Sequence, residues 1–177
     1  EYGARFGPWG VVTGAAMGVG LAFVEELHDR GIGVVMVDRD PIVEEVAAGL
    51  PGETRTLVAD VTDPAWIDAL AATTADLEIG IAVANAGISF VGNFLDMTAG
   101  QRQAHLDVNC KGVLNGFGAV LPGMVERGAG HIITISSDAG RRVFPKLSVY
   151  CASKFFVEAL STGTRAELIG TGLRITT

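Results

Sequence analysis

The chain has 177 residues, 49% of them hydrophobic and 19% charged, with a formal net charge of −7. That length fits one well-buried core; the apolar content excludes a disordered chain, and the acidity argues against a nucleic-acid-binding surface. Two cysteines, Cys110 and Cys151, give neither a disulfide framework nor metal-ligand spacing, and His28, His105 and His131 are too scattered for a metal motif.

These five residues therefore read as packed or surface side chains. Arg141 and Arg142 are too short a basic run for a tract and mark a solvated loop or a local anionic contact. No basic-then-apolar leader opens the sequence, and its longest apolar stretches carry Gly, Asp or Glu breaks. Buried strands fit them better than membrane spans, and the expectation is a cytoplasmic protein with no metal, membrane or nucleic-acid partner.

In chain order, Trp9 to Thr13 predicts a short buried strand running into a glycine-rich turn, Gly14 to Gly20. Leu21, Ala22, Val24 and Leu27 then repeat with helical period, and Gly31 to Gly33 ends that helix. A second strand runs from Val34 to Asp38. Ile42 to Leu50 reads as a helix, Thr54 to Ala59 as extended, and Pro64 starts a helix toward Thr74, where a missing N–H costs nothing. Ile79 to Ala84 is a fourth strand. Thr98 to Asn109 and Lys111 to Arg127 read as two helices, His131 to Ser136 as a fifth strand, Tyr150 to Ile169 as a long helix and Leu173 to Thr176 as a sixth strand. Alternating strands and helices with short turns predict a single α/β domain over residues 1–177, a doubly wound parallel sheet with helices on both faces. A strand this close to the last residue predicts a C-terminally incomplete domain.

The first turn carries a binding signal. In Thr13-Gly14-Ala15-Ala16-Met17-Gly18-Val19-Gly20, Gly14 makes the tight turn, Gly18 allows a pyrophosphate to approach the backbone, and Gly20 allows the helix to pack closely. Free N–H groups at the helix start can then receive phosphate oxygens. Asp38, eighteen residues beyond Gly20 at the end of the second strand, can accept ribose hydroxyls and repel a phosphate placed there. That pattern favours NAD, with NADP open because Arg39 could recognise the extra phosphate or simply face solvent. Asp60 and Val61 could meet the adenine, although Asp60 and Asp63 compete for a helix cap. Asn85-Ala86-Gly87, at the end of the fourth strand, is a tight turn or a cofactor-facing loop.

The second signal is Tyr150-Cys151-Ala152-Ser153-Lys154. On a helix, positions 150 and 154 share a face. A phenol ionises near pH 10, about three units above neutrality, and an ammonium beside it favours the phenolate. Ser136 and Ser137 end the fifth strand, where either hydroxyl could orient a substrate oxygen. Asn109 stands at the break between two helical stretches, as a helix cap or as an amide holding a water or a carbonyl. Phe90, Phe94, Met97 and Phe144 could line an apolar pocket or fill the core.

With these motifs in this order, the chain resembles the short-chain dehydrogenase/reductase family from Trp9 nearly to Thr177. The resemblance implies a Rossmann-like fold and an NAD(P)-dependent oxidoreductase moving a hydride between the cofactor and an alcohol or carbonyl. The family's asparagine–serine–tyrosine–lysine tetrad falls on Asn109, Ser137, Tyr150 and Lys154, and the thirteen-residue step to Tyr150 selects Ser137. It further implies that Tyr150 is the general acid/base, that Tyr150 and Lys154 also touch the cofactor, and that Thr13, Gly14, Ala16, Met17, Gly18, Val19 and Gly20 hold its phosphates. Family members commonly form homodimers or homotetramers through the helices after the fourth and fifth strands, where Phe155, Phe156, Leu160 and Leu168 stand here. Ala16 and Ala84 depart from the family's usual polar residues, and the expected substrate-covering segment and seventh strand are absent. A non-catalytic dinucleotide-binding scaffold is the competing expectation.

Overall fold

The computed structural model describes residues 5–177. Six strands form one parallel sheet: β1 (Trp9–Thr13), β2 (Gly33–Asp38), β3 (Thr54–Val58), β4 (Ile79–Ala84), β5 (Gly130–Thr134) and β6 (Leu173–Thr176). Their spatial order is β3-β2-β1-β4-β5-β6. The order reverses between β1 and β4, which opens a crevice at the carboxyl ends of those two strands.

Strand side chains alternate between faces, and the valine runs exploit this by burying both. Val11, Val35 and Val37 enter a core with Trp66, Val113, Phe117 and Val157. Val12, Val34 and Met36 point the other way and join Val24, Leu27 and Val43. The helices that supply these partners are α1 (Gly18–Asp29) and α2 (Ile42–Ala48) on the second face, and α3 (Ala65–Thr73), α5 (Gly112–Arg127) and α6 (Ser148–Glu167) on the first. The doubly wound α/β architecture is the one expected.

The differences are local. Helix α4 (Ala99–Leu106) does not end in a break at Asn109. It runs through a π-helical turn, Asp107–Lys111, directly into α5. A 3-10 turn, Asp138–Gly140, intervenes before α6, which starts two residues ahead of Tyr150. Asp63 takes the helix-start role before α3, its Oδ1 accepting the N–H of Ala65 at 2.9 Å. Asp60 instead makes a tight turn by accepting the N–H of Thr62 at 2.9 Å. Among the four apolar residues marked for contact between copies, Phe155 is 42% exposed, while Phe156, Leu160 and Leu168 pack against the core. Among the described residues no helix is long and apolar enough to cross a membrane.

Candidate active site

The crevice between β1 and β4 is a groove of about 430 Å³. Gly14, Met17, Val19, Asp38, Arg39, Asp60, Val61 and the turn Asn85, Ala86 and Gly87 line it. Gly14 and Gly18 have φ of +65° and +59°, in the left-handed region that favours glycine. A Cβ on Gly20 would lie 2.0 Å from the carbonyl oxygen of Gly14, so α1 can begin there only without a side chain. Nothing lies within 4 Å of the Cβ position on Gly18. One glycine is thus required by packing, while the other leaves open space above the exposed start of a helix, which is what an incoming pyrophosphate needs.

The turn is tied down from two sides. Thr13, buried, accepts the N–H groups of Asn85 and Ala86 through Oγ1, both at 3.1 Å. Asn85 donates through Nδ2 to the carbonyls of Thr13 and Gly14, both at 3.0 Å. From the other side, Oδ2 of Asp38 accepts the N–H of Ala16 at 3.0 Å, and Oδ1 accepts that of Asp40 at 3.1 Å. Arg39 is exposed and makes no hydrogen bond or ion pair among the described residues.

Past Gly87 the groove approaches two of the four tetrad positions, Asn109 and Lys154. Asn109 is 1% exposed in the π-helical turn. Its Oδ1 accepts the N–H of Ile88 at 2.9 Å; its Nδ2 donates to the Ile88 carbonyl at 2.9 Å and to Ser153 Oγ at 3.0 Å. Of the two expected readings, the amide therefore grips the backbone of Ile88 on both sides of its Cα rather than capping a helix. Ser153 Oγ donates in turn to the carbonyl of Tyr150 at 2.7 Å, linking the π turn to α6.

Lys154 is 6% exposed. Its Nζ donates to the Ile135 carbonyl at 2.7 Å and stands 5.8 Å from the centre of the Tyr150 ring. Burial pushes its ammonium below the usual lysine range, while the nearby Cys110 opposes that shift. The Cys110 thiol is itself pushed up by burial, against the pull of Lys154. Gly87 brings the β4 turn to the same point: a Cβ there would lie 3.5 Å from Asn109 Oδ1 and 3.7 Å from Lys154 Nζ. Ser137 is half-buried, with Oγ accepting the N–H of Ala139 at 3.1 Å, whereas Ser136 Oγ is buried without a partner among the described residues.

Two loops flank Tyr150. Residues 88–97 follow β4 and residues 141–147 precede α6, and Gly92 joins them by donating its N–H to the Lys146 carbonyl at 2.9 Å. The four apolar pocket candidates divide between them. Met97 is buried; Phe94 is 55% exposed beneath the Arg102 guanidinium; Phe144 is half-buried beneath that of Arg142. Phe90 packs edge-on against His105, a fully buried histidine whose ring also meets Tyr150. The sequence leaves His105 as a packed or surface side chain, and the structure packs it. The signal available was its four-residue spacing from Asn109, which puts both on one helix face. Cys151, next to Tyr150, is buried and inward-facing, and among the described residues no group of three or more His, Cys, Asp or Glu could hold a metal ion.

Known proteins share this fold. Residues 9–177 match the family described as short chain dehydrogenase. Glycine betaine reductase of Emericella nidulans is 40% identical over 98% of this chain, and very-long-chain 3-oxoacyl-CoA reductase of Anas platyrhynchos is 37% identical over 97%. The chain spans 14% of the first relative and 58% of the second. A metagenomic short-chain oxidoreductase solved in complex with NADP superposes with a TM-score of 0.88 at 30% identity, covering 94% of this chain and 79% of its own. With a matched family profile across nearly the whole sequence and the same fold, this chain belongs to the short-chain dehydrogenase/reductase family.

Proposed function

We propose that the chain forms an NAD-favouring oxidoreductase site that interconverts an alcohol and a carbonyl, with Tyr150 as the general acid/base. The observation that carries this reading is the buried ammonium of Lys154, held by the Ile135 carbonyl on the face of α6 that bears Tyr150. A cation so placed faces the charge that develops on the phenol oxygen as its proton leaves.

Thr13, Gly14, Ala16, Met17, Gly18, Val19 and Gly20 would hold the cofactor's pyrophosphate end. Asp38 and Arg39 would meet the adenosine ribose, Asp60 and Val61 the adenine, and Asn85, Ala86 and Gly87 would line the path toward Lys154. The open space over Gly18 and the groove lined by Gly14, Met17, Val19, Asp38, Asp60 and Asn85 support that fit. A bound nicotinamide supplies the hydride exchanged with the substrate carbon.

In the reducing direction Tyr150 donates its proton to the carbonyl oxygen, and the phenolate regains one from solvent. Ser137 Oγ donates to that oxygen and fixes its direction. Lys154 Nζ binds the nicotinamide ribose and faces the phenolate, and Asn109 holds the loop at Ile88 against the site. Oxidation of an alcohol is the same path reversed, with the phenolate accepting the proton. Phe155, exposed on α6, supports contact between copies as homodimers or homotetramers. Residues 1–177 form one catalytic domain in this reading.

The deciding variant is Tyr150→Phe in the full-length protein, assayed with NADH and NADPH against a panel of ketones and with NAD+ and NADP+ against secondary alcohols. Loss of acid/base assistance lowers turnover by about 10²–10⁴-fold with cofactor binding intact. Unchanged turnover overturns the assignment.

A further inference from the structure

His105 is fully buried in α4 and makes two hydrogen bonds of opposite sense. Its Nε2 lies 3.1 Å from the backbone nitrogen of Phe90, which can only donate, so Nε2 accepts. Its Nδ1 lies 2.9 Å from the Gln101 carbonyl, which can only accept, so Nδ1 carries the hydrogen. One neutral tautomer satisfies both partners. The ring also stands 5.3 Å from Phe90 and 6.3 Å from Tyr150, centre to centre, at 80° and 61°.

The spacing matters as much as the bonds. His105 and Asn109 are four positions apart along a helical rod, and they grip Phe90 and Ile88, two positions apart in the loop after β4. One helix face thus holds alternate residues of the loop that leaves β4. The same His105 ring meets Tyr150 itself.

We propose that His105 is a positioning residue: through its Nε2 acceptor it fixes Phe90, and with it the wall of the site against which the Tyr150 ring is set. This rests on the acid/base role proposed for Tyr150. A displacement of about 1 Å at a reacting group is enough to cost on the order of 10²-fold in rate.

The test compares H105Q, which keeps an acceptor at the Nε2 position, with H105L, which does not. Neither has a ring, so a difference between them reports the bond to Phe90 rather than lost stacking. H105L is expected to lower kcat about 10²-fold at unchanged cofactor affinity, and H105Q to stay within about threefold of the unsubstituted protein. Equal kcat in the two variants overturns the proposal.

A second readout needs no turnover. In full-length protein labelled with 3-fluorotyrosine, the Tyr150 fluorine resonance is identified by its loss in Tyr150→Phe. It is expected to stay a single sharp line in H105Q and to broaden or split in H105L; the same line in both overturns the positioning role. Should Tyr150→Phe retain full turnover, the acid/base reading fails while the fluorine spectra still decide what His105 does. If H105L does not fold, nitrogen shifts of His105 in the unsubstituted protein decide the matter: a protonated Nδ1 and bare Nε2 are expected, and a protonated Nε2 overturns the proposal.

Discussion

The carboxylate of Asp38 accepts the backbone N–H of Ala16 at 3.0 Å, so the acidic residue that ends β2 also braces the glycine turn between β1 and α1. In the function proposed above, cofactor choice and turn geometry would be joined in one side chain. Two unit charges 4 Å apart in water interact by about 1 kcal/mol, so a doubly charged phosphate beside this carboxylate costs about 2 kcal/mol, or roughly 30-fold in Kd. Asp38→Asn removes the charge and keeps an acceptor for Ala16. Fluorescence titration is expected to show its NADPH-to-NADH affinity ratio rising by about that factor; an unchanged ratio removes Asp38 from cofactor selection.

Gly18 and Gly20 separate binding from folding. Gly18→Ala has room for its methyl but places a side chain at φ +59°, at a cost of about 1–2 kcal/mol. The expected product is folded protein with strongly reduced cofactor affinity, because the methyl occupies the open space over the turn. Gly20→Ala meets the Gly14 carbonyl and is expected to lose stability more severely. Denaturant melts and cofactor titrations on both variants check the contrast.

Asn109 has a structural cost attached to its removal. Asn109→Ala leaves the N–H and carbonyl of Ile88 without their side-chain partners, at roughly 1–3 kcal/mol for each group that stays dry. Urea unfolding is expected to show a loss of about 3 kcal/mol. A variant as stable as its parent would show that this grip contributes nothing to folding.

His131 predicts an acid sensitivity far from the site. Its ring is 6% exposed and held down to a pKa of about 4, chiefly by burial and then by Arg174 and Arg5. The ordinary value is 6.5. Between the two values the unfolded chain binds a proton that the folded chain refuses, so stability falls as pH drops through that window. The share due to His131 is on the order of 2 kcal/mol. His131→Leu is expected to flatten the pH dependence of unfolding between pH 6.5 and 4 relative to the parent protein. Parallel curves would refute it.

The six strands were legible because valine and isoleucine runs bounded by glycine and aspartate carry their own signal, and β1, β4 and β6 fall where the pattern puts them. The course through Asn109 was not. A break and a continuous π-helical turn look alike in sequence, since the difference lies in a hydrogen bond to Ile88, twenty-one residues away. The same holds for Asp60 and Asp63, equal as caps on paper and separated only by which backbone N–H each can reach. His105 was passed over because its partners, Phe90 and Tyr150, lie in two other segments. Local pattern gives the elements; these side chains acquire meaning only when distant backbone arrives beside them.

The π-helical turn Asp107–Lys111 joins α4 to α5 without a loop, and it fixes the phase between them. Each residue of an α-helix advances the chain by about 100° around its axis. A turn of π-helix holds about one residue more than a turn of α-helix. Deleting one residue here would therefore let the backbone relax into regular helix with the helix beyond in nearly the same phase, and would displace the residues of the turn itself. Gly112 would keep its place against Val61, whose Cγ2 would lie 2.8 Å from a Cβ on that glycine, while Asn109 would leave Ile88. The extra residue therefore acts as an indexing notch: it lets one rod present a polar grip to the site and a bare glycine to the core. Length in this turn is consequently less free to change than composition.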